Sequence, residues 1–172
     1  MKSFSRQNMI RNIVTLSVLF ILLCFDQYTK QLAVTHLKGQ DSFVIIDKIL
    51  EFSYLENTGA AFSSFAGRQV FLILLTSIVI FVIIWKFMTL PDEKRFNGMR
   101  ISLLFIVSGA VGNLIDRISN KYVVDFIYFV PINFPKFNVA DIYITIGVAL
   151  LGILLFFYYN DEEFDALLTI RP

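Results

Sequence analysis

GNLIDRISNKYVVDFIYFVPINFPKFNVAD, residues 112–141, leaves one strongly apolar stretch and enters another. It carries three aspartates (Asp116, Asp125, Asp141), one arginine (Arg117), and four asparagines, of which two, Asn113 and Asn138, stand three residues before an aspartate. Carboxylates at the edge of hydrocarbon are costly and persist where they do a job. Two of these aspartates read as a catalytic pair held near a membrane surface. The apolar sequence on either side reads as the spans that hold them there.

The rest of the chain agrees with a bilayer setting. Of its 172 residues, 56% are hydrophobic, and the mean hydropathy is +0.68. A soluble domain of this length has too little interior to hide so much apolar surface. Four segments reach the roughly 20 mostly apolar residues that a span needs: about 9–28, 69–88, 100–118 and 139–159. The expected fold is an all-α polytopic membrane protein forming one domain over residues 1–172, without internal repeat or flexible linker. Lys2, Arg6 and Arg11 before Ile13–Phe25 resemble a secretory signal peptide. Asp26-Gln27-Tyr28-Thr29-Lys30 follows where a small-x-small cleavage site would stand, so the first span is expected to be retained.

Basic residues in short flanks set orientation. Lys2, Arg6 and Arg11 mark one flank, and Lys86, Lys94, Arg95 and Arg100 mark the connection between spans two and three. Both are expected on the cytoplasmic side, with the C-terminus there too. Residues 30–68 and 119–138 then form the outer connections. In the first of these, Phe43–Ile46 and Ile49–Leu55 are β-branched and aromatic around Asp47-Lys48. They predict a small extracytoplasmic sheet on the outer leaflet.

Several classes of chemistry find no support. A net charge of +1 gives no basic case for nucleic acid. A lone cysteine, Cys24, allows no internal disulfide, and with a single histidine, His36, it argues against zinc or iron–sulfur sites. No metal or cofactor is expected. Cys24 reads as a buried small hydrophobe, and Trp85 and Tyr158-Tyr159 as interfacial aromatics.

The polar groups within the spans all fall at one end. Asp26 and Lys30 close span one, Asn113, Asp116 and Arg117 close span three, and Asn138 and Asp141 open span four. Asp26 has Lys30 one helical turn on, so an ion pair is available, and a structural pair is the plainer reading. Arg117 points away from its neighbour Asp116 and is expected to reach another element. Asp125 and Asp141 have no basic residue within three positions in sequence. Brought together, two such carboxylates cannot both ionise cheaply, so they share a proton. One can then activate water while the other donates a hydrogen bond to a scissile carbonyl. Asn138 reads equally well as a helix N-cap, Asp125 as an ordinary loop aspartate and Asn57 as a turn residue. Common placement gives these signals their weight. A proton-coupled transporter would also use intramembrane carboxylates, but would show repeats or broken helices. A non-catalytic scaffold would need no unpaired aspartates.

Five boxes in this sequence resemble the lipoprotein signal peptidases (signal peptidase II). They are Asp26-Gln27-Tyr28-Thr29-Lys30, Asn57-Thr58-Gly59-Ala60-Ala61-Phe62, Gly112-Asn113-Leu114-Ile115-Asp116-Arg117, Val123-Val124-Asp125-Phe126 and Phe137-Asn138-Val139-Ala140-Asp141. Their order and spacing are family-like over essentially the whole chain. The resemblance implies an aspartic endopeptidase of the bacterial inner membrane, with both termini cytoplasmic and the active site near the outer face. Its substrates would be prolipoproteins already carrying diacylglyceryl, cut just before the lipidated cysteine. Asp125 and Asp141 match the catalytic dyad. Asp26, Lys30, Asn57, Gly59, Asn113, Asp116, Arg117, Asn138 and Ala140 match positions that shape or support the site. Membrane lipid would be a neighbour, and globomycin-like cyclic peptides would be inhibitors. Ile142 departs from the small polar residue many relatives carry there, and the acidic tail from Asp161 carries no implied role. Phe126, Tyr128, Phe129 and Phe134 are expected to cover the substrate lipid.

Overall fold

A computed structural model describes residues 6–59 and 67–168. Ala60, Ala61 and Phe62 of the second box lie outside the described residues, as does Lys2. Helix α1 runs Arg6–Leu37, α2 Gln69–Thr89, α3 Asn97–Asn120 and α4 Val139–Ile153. A π-helical turn, Leu154–Tyr158, prolongs α4, and a short helix α5, Asp161–Leu168, follows it. Four of the described helices are long and apolar enough to cross a membrane. The protein is therefore a mostly helical polytopic membrane protein.

The helical spans fall close to the expected segments except the first. Charge at Asp26 and Lys30 marked an end at about residue 28, yet α1 continues to Leu37. Both groups are neutralised inside the bundle, so nothing interrupts the helix there. At 1.5 Å per residue α1 measures about 48 Å, well over the roughly 30 Å of hydrocarbon. Its last turns therefore stand clear of the other spans and carry the sheet.

That sheet has three antiparallel strands in the order β1 (Phe43–Ile46), β2 (Leu50–Asn57) and β3 (Val123–Phe129). The hairpin turns at Asp47-Lys48, where Lys48 takes a positive φ of 57°. Strand β3 comes from the second outer connection, for which the sequence predicts no strand. Its partner β2 lies far away in sequence, with Asn57 opposite Val123 and Leu55 opposite Asp125. Ala33, Val124 and Phe126 are buried together between α1 and the sheet, with Val34, Leu37 and Phe52 against them.

Helix α3 is the axis of the bundle: 61% of its apolar stretch is buried, against 6% for α1 and 11% for α2. It contacts α4 through small residues, as helices do when lipid gives no hydrophobic drive for association. A methyl group at Gly112 would come within 2.5 Å of Asp26 Oδ2, so only glycine lets that carboxylate sit between α1 and α3. Ser102 Oγ on α3 donates to the carbonyl of Gly147 on α4 at 2.7 Å, tying those two helices.

Two sequence expectations are corrected at the periphery. Cys24 is exposed, because the inward face of α1 is set by Asp26, Lys30 and Ala33 and Cys24 lies off it. Tyr159 is buried at the end remote from the sheet, stacked on Phe96 with centroids 5.4 Å apart. Arg95 pairs there with Glu163 at 2.7 Å, and Asn160 caps α5 by accepting from the N–H of Glu163.

Candidate active site

The polar residues named from sequence meet at the sheet end of the bundle in two linked clusters. The inner cluster is built around Lys30, which is 3% exposed. Its ammonium lies 3.0 Å from Asp26 Oδ2, 3.1 Å from Asp116 Oδ2 and 2.9 Å from Asn113 Oδ1. All three ammonium protons thus have acceptors. Asp26 also accepts from the backbone N–H of Ala140 at 2.9 Å, and Asp116 from that of Val124 at 3.1 Å. The cluster therefore fastens α1, α3, the start of β3 and the start of α4 at one point. Taking charges out of water is costly unless each is paired and hydrogen-bonded. Here every carboxylate is.

Gln27 belongs to this cluster and was not singled out from sequence. Its side-chain amide donates to Asp26 and Asp116 at 3.1 Å each, and to the Gly112 carbonyl at 3.3 Å. Its place beside Asp26 in the first box was the available signal.

The outer cluster contains Asp125 and Asp141, and its partners are amides. Asp125, on β3, is 1% exposed. Its Oδ2 accepts from Asn57 Nδ2 at 2.8 Å and its Oδ1 from Asn138 Nδ2 at 2.7 Å. Asp141 sits in the first turn of α4. Its Oδ1 accepts from Asn113 Nδ2 at 2.8 Å, and its Oδ2 from the backbone N–H of Asn138 at 3.1 Å. Asn138 Oδ1 in turn accepts from the backbone N–H of Asp141, which completes a capping box. Asn138 is thus both N-cap and a ligand of Asp125. The N-cap reading holds, and the same side chain also donates to Asp125.

Burial pushes the Asp125 carboxyl up to about 7, and the charge of Asp141 adds to this. The hydrogen bonds from Asn57 and Asn138 oppose the rise without cancelling it. Arg117 reaches across to another element, donating to the Gly59 carbonyl at 3.2 Å. Its Nε is buried without a partner among the described residues.

A cavity of about 770 Å³ opens onto this cluster. Asn57, Asn113, Arg117, Asp125 and Asp141 form its polar wall, and Leu55, Val123, Phe134, Ile142, Ile144 and Ile146 are among its apolar lining. Of the four aromatics expected to cover a lipid, Phe134 lines this cavity. Phe126 does not: alternation along β3 turns it to the other face of the sheet, where it meets Phe52 edge-on at 5.9 Å.

Two solved structures share the fold. Both are described as bacterial membrane enzymes determined by the in meso method. One aligns with TM-score 0.76 and 33% identity, covering 83% of this chain and 87% of that one. The other gives 0.74 and 32%, covering 85% and 94%. Fold and polar core together define a multi-pass membrane enzyme. The family model described as signal peptidase (SPase) II matches residues 18–157. The lipoprotein signal peptidase of Clostridium novyi (strain NT) is 43% identical over 145 residues, covering 81% of this chain and 97% of that protein. That of Clostridium tetani (strain Massachusetts / E88) is 41% identical, covering 83% and 90%. The chain belongs to the signal peptidase II family, a family of proteases.

Proposed function

We propose that the protein is an aspartic endopeptidase that removes the signal peptide from diacylglyceryl-modified prolipoproteins, cutting before the lipidated cysteine. One observation carries this reading: Asn138 touches both Asp125 and Asp141 at the wall of one apolar cavity. The two carboxylates have amide partners and no lysine between them, so the pair is free to hold one proton.

The chemistry follows from that single proton. It rests most cheaply on Asp125, whose carboxyl is pushed up to about 7. From there it is donated to the scissile carbonyl oxygen. Asp141, ionised, accepts a proton from water, and the resulting hydroxide adds to the carbonyl carbon. The tetrahedral intermediate collapses as the leaving amine takes a proton from the dyad. Asn57, Asn113 and Asn138 fix the two carboxylates, and Arg117 Nε is a donor available to a substrate carbonyl. Asp26, Lys30, Asp116, Gly59 and Ala140 hold the elements that present them. The reaction uses carboxylates and water, and calls on neither a metal nor a cofactor.

The setting is a bacterial inner membrane, with both termini cytoplasmic, the sheet at the outer leaflet and the chain acting as one domain. A lipidated signal peptide is a membrane helix with acyl chains, and the apolar cavity can take it sideways from the bilayer. Globomycin-like cyclic peptides would compete there. The test is cleavage in detergent of one prolipoprotein with and without its diacylglyceryl group, with products mapped by mass spectrometry. Cleavage of the lipidated form alone, with the cysteine at the new N-terminus, is expected. Equal cleavage of both forms, or a cut elsewhere, would overturn the substrate assignment.

A further inference from the structure

Strand β2 presents alternate residues to a single groove. Asn57 and Leu55 line the cavity at the dyad, while Ser53 and Glu51, next on the same face, line a second cavity of about 410 Å³. Phe134, Pro135 and Lys136 line both, so the two cavities adjoin along one wall. Their characters differ. The first has a mainly apolar surface, whereas the second is bounded by Ser42, Glu51, Ser53, Tyr128, Asn133 and Lys136 as well as Phe134 and Pro135.

Lys136 occupies the shared wall. Its ammonium donates to Ser53 Oγ at 2.8 Å and stands over the Tyr128 ring at 5.8 Å. Among the described residues it has no carboxylate within ion-pair distance, unlike Lys30 and Lys38, which both have one. It is a half-buried cation with donors to spare, positioned by its neighbours at the polar end of a groove that begins at the catalytic carboxylates.

We propose that this second cavity is the subsite for the substrate polypeptide beyond the cut, and that Lys136 gives it a preference for acidic side chains. The proposal rests on the peptidase reading above. Acyl chains and signal helix must stay with hydrocarbon, so the apolar cavity and the bilayer take them. The chain that follows the lipidated cysteine is the part that can enter a polar pocket. Asn57 contacts the dyad, and Ser53 lies four residues along the same strand. An extended substrate advancing about 3.3 Å per residue would bring about its fourth residue after the cut to Ser53 and Lys136.

The experiment compares kcat/KM for two diacylglyceryl-modified peptides that carry Asp or Lys at the third to fifth residues after the cut. Wild type, Lys136→Met and Lys136→Glu are each tested on both. Wild type should favour the Asp peptide by about three- to tenfold, Lys136→Met should bring the ratio near one, and Lys136→Glu should invert it. Because the readout is a ratio within one enzyme, partial misfolding of a variant does not alter it. The same ratio in all three enzymes overturns the subsite while leaving the peptidase reading intact. Cleavage of neither peptide by wild type overturns both.

Discussion

Two pairs of aspartates lie within one polar core and have opposite surroundings. Asp26 and Asp116 share the ammonium of Lys30 at 3.0 and 3.1 Å. Asp125 and Asp141 are held by asparagine donors, and Asn138 serves both, its side-chain amide donating to Asp125 and its backbone N–H to Asp141. A cation between two buried carboxylates pairs with both and fixes their positions, which suits a joint between helices. Amides orient carboxylates without supplying positive charge, so the second pair keeps the capacity to exchange a proton. On the proposed reading, what distinguishes a structural from a reactive carboxylate here is the charge of its hydrogen-bond partner, and burial alone would not separate them.

The comparison can be broken most severely at the second pair. Asp125→Asn or Asp141→Asn should lower turnover of a lipidated substrate by about 10³-fold or more while the protein stays folded in detergent. Next in size, Lys30→Met should cost about 3–5 kcal/mol of stability, because two buried carboxylates lose their cation. A thermal melt near that of wild type would contradict the structural role.

Acidity sharpens the contrast. The Asp125 carboxyl is raised from 3.8 to about 7, so the folded state holds that proton more tightly than the unfolded chain does. Stability from this group is therefore present at low pH and is lost as pH rises from about 4 through 7, up to about 4 kcal/mol in all. The Asp125→Asn protein should lack that loss. Turnover should fall as pH passes about 7, where the proton on the dyad is lost. The smallest effect is expected from Asn57→Ala. It removes a hydrogen bond that favours ionised Asp125, so the alkaline fall in rate should move to higher pH, as a pH–rate profile would show.

Much of this was legible in the sequence because the determinants are local. Apolar runs mark the spans, Asp47-Lys48 between β-branched stretches marks the hairpin, and Asp26 with Lys30 marks an ion pair at helical spacing. What escaped depends on distant pairing. Strand β3 forms against a strand more than sixty residues earlier, about 66 by the Asn57–Val123 pairing, and its sequence, VVDFIYF, alternates poorly because its two faces are both partly buried. With no strand predicted there, nothing in the sequence shows that Phe126 turns away from the cavity or that Asn57 meets Asp125. Lys136 was overlooked for the same reason, since its partner Ser53 lies across the sheet. The end of α1 was misplaced because charge stops a membrane helix only when it is unpaired.

On the proposed reading the amide-bound aspartates do the chemistry and the lysine-bound ones hold the frame. The direct measurement is single-turnover cleavage of a diacylglyceryl-modified prolipoprotein, per folded molecule, by Asp125→Asn, Asp141→Asn and Asp116→Asn. The account predicts folded but inactive protein for the first two. It predicts a less stable Asp116→Asn protein whose folded fraction keeps at least about a tenth of the wild-type rate. A folded and inactive Asp116→Asn protein beside an active Asp125→Asn protein would contradict it.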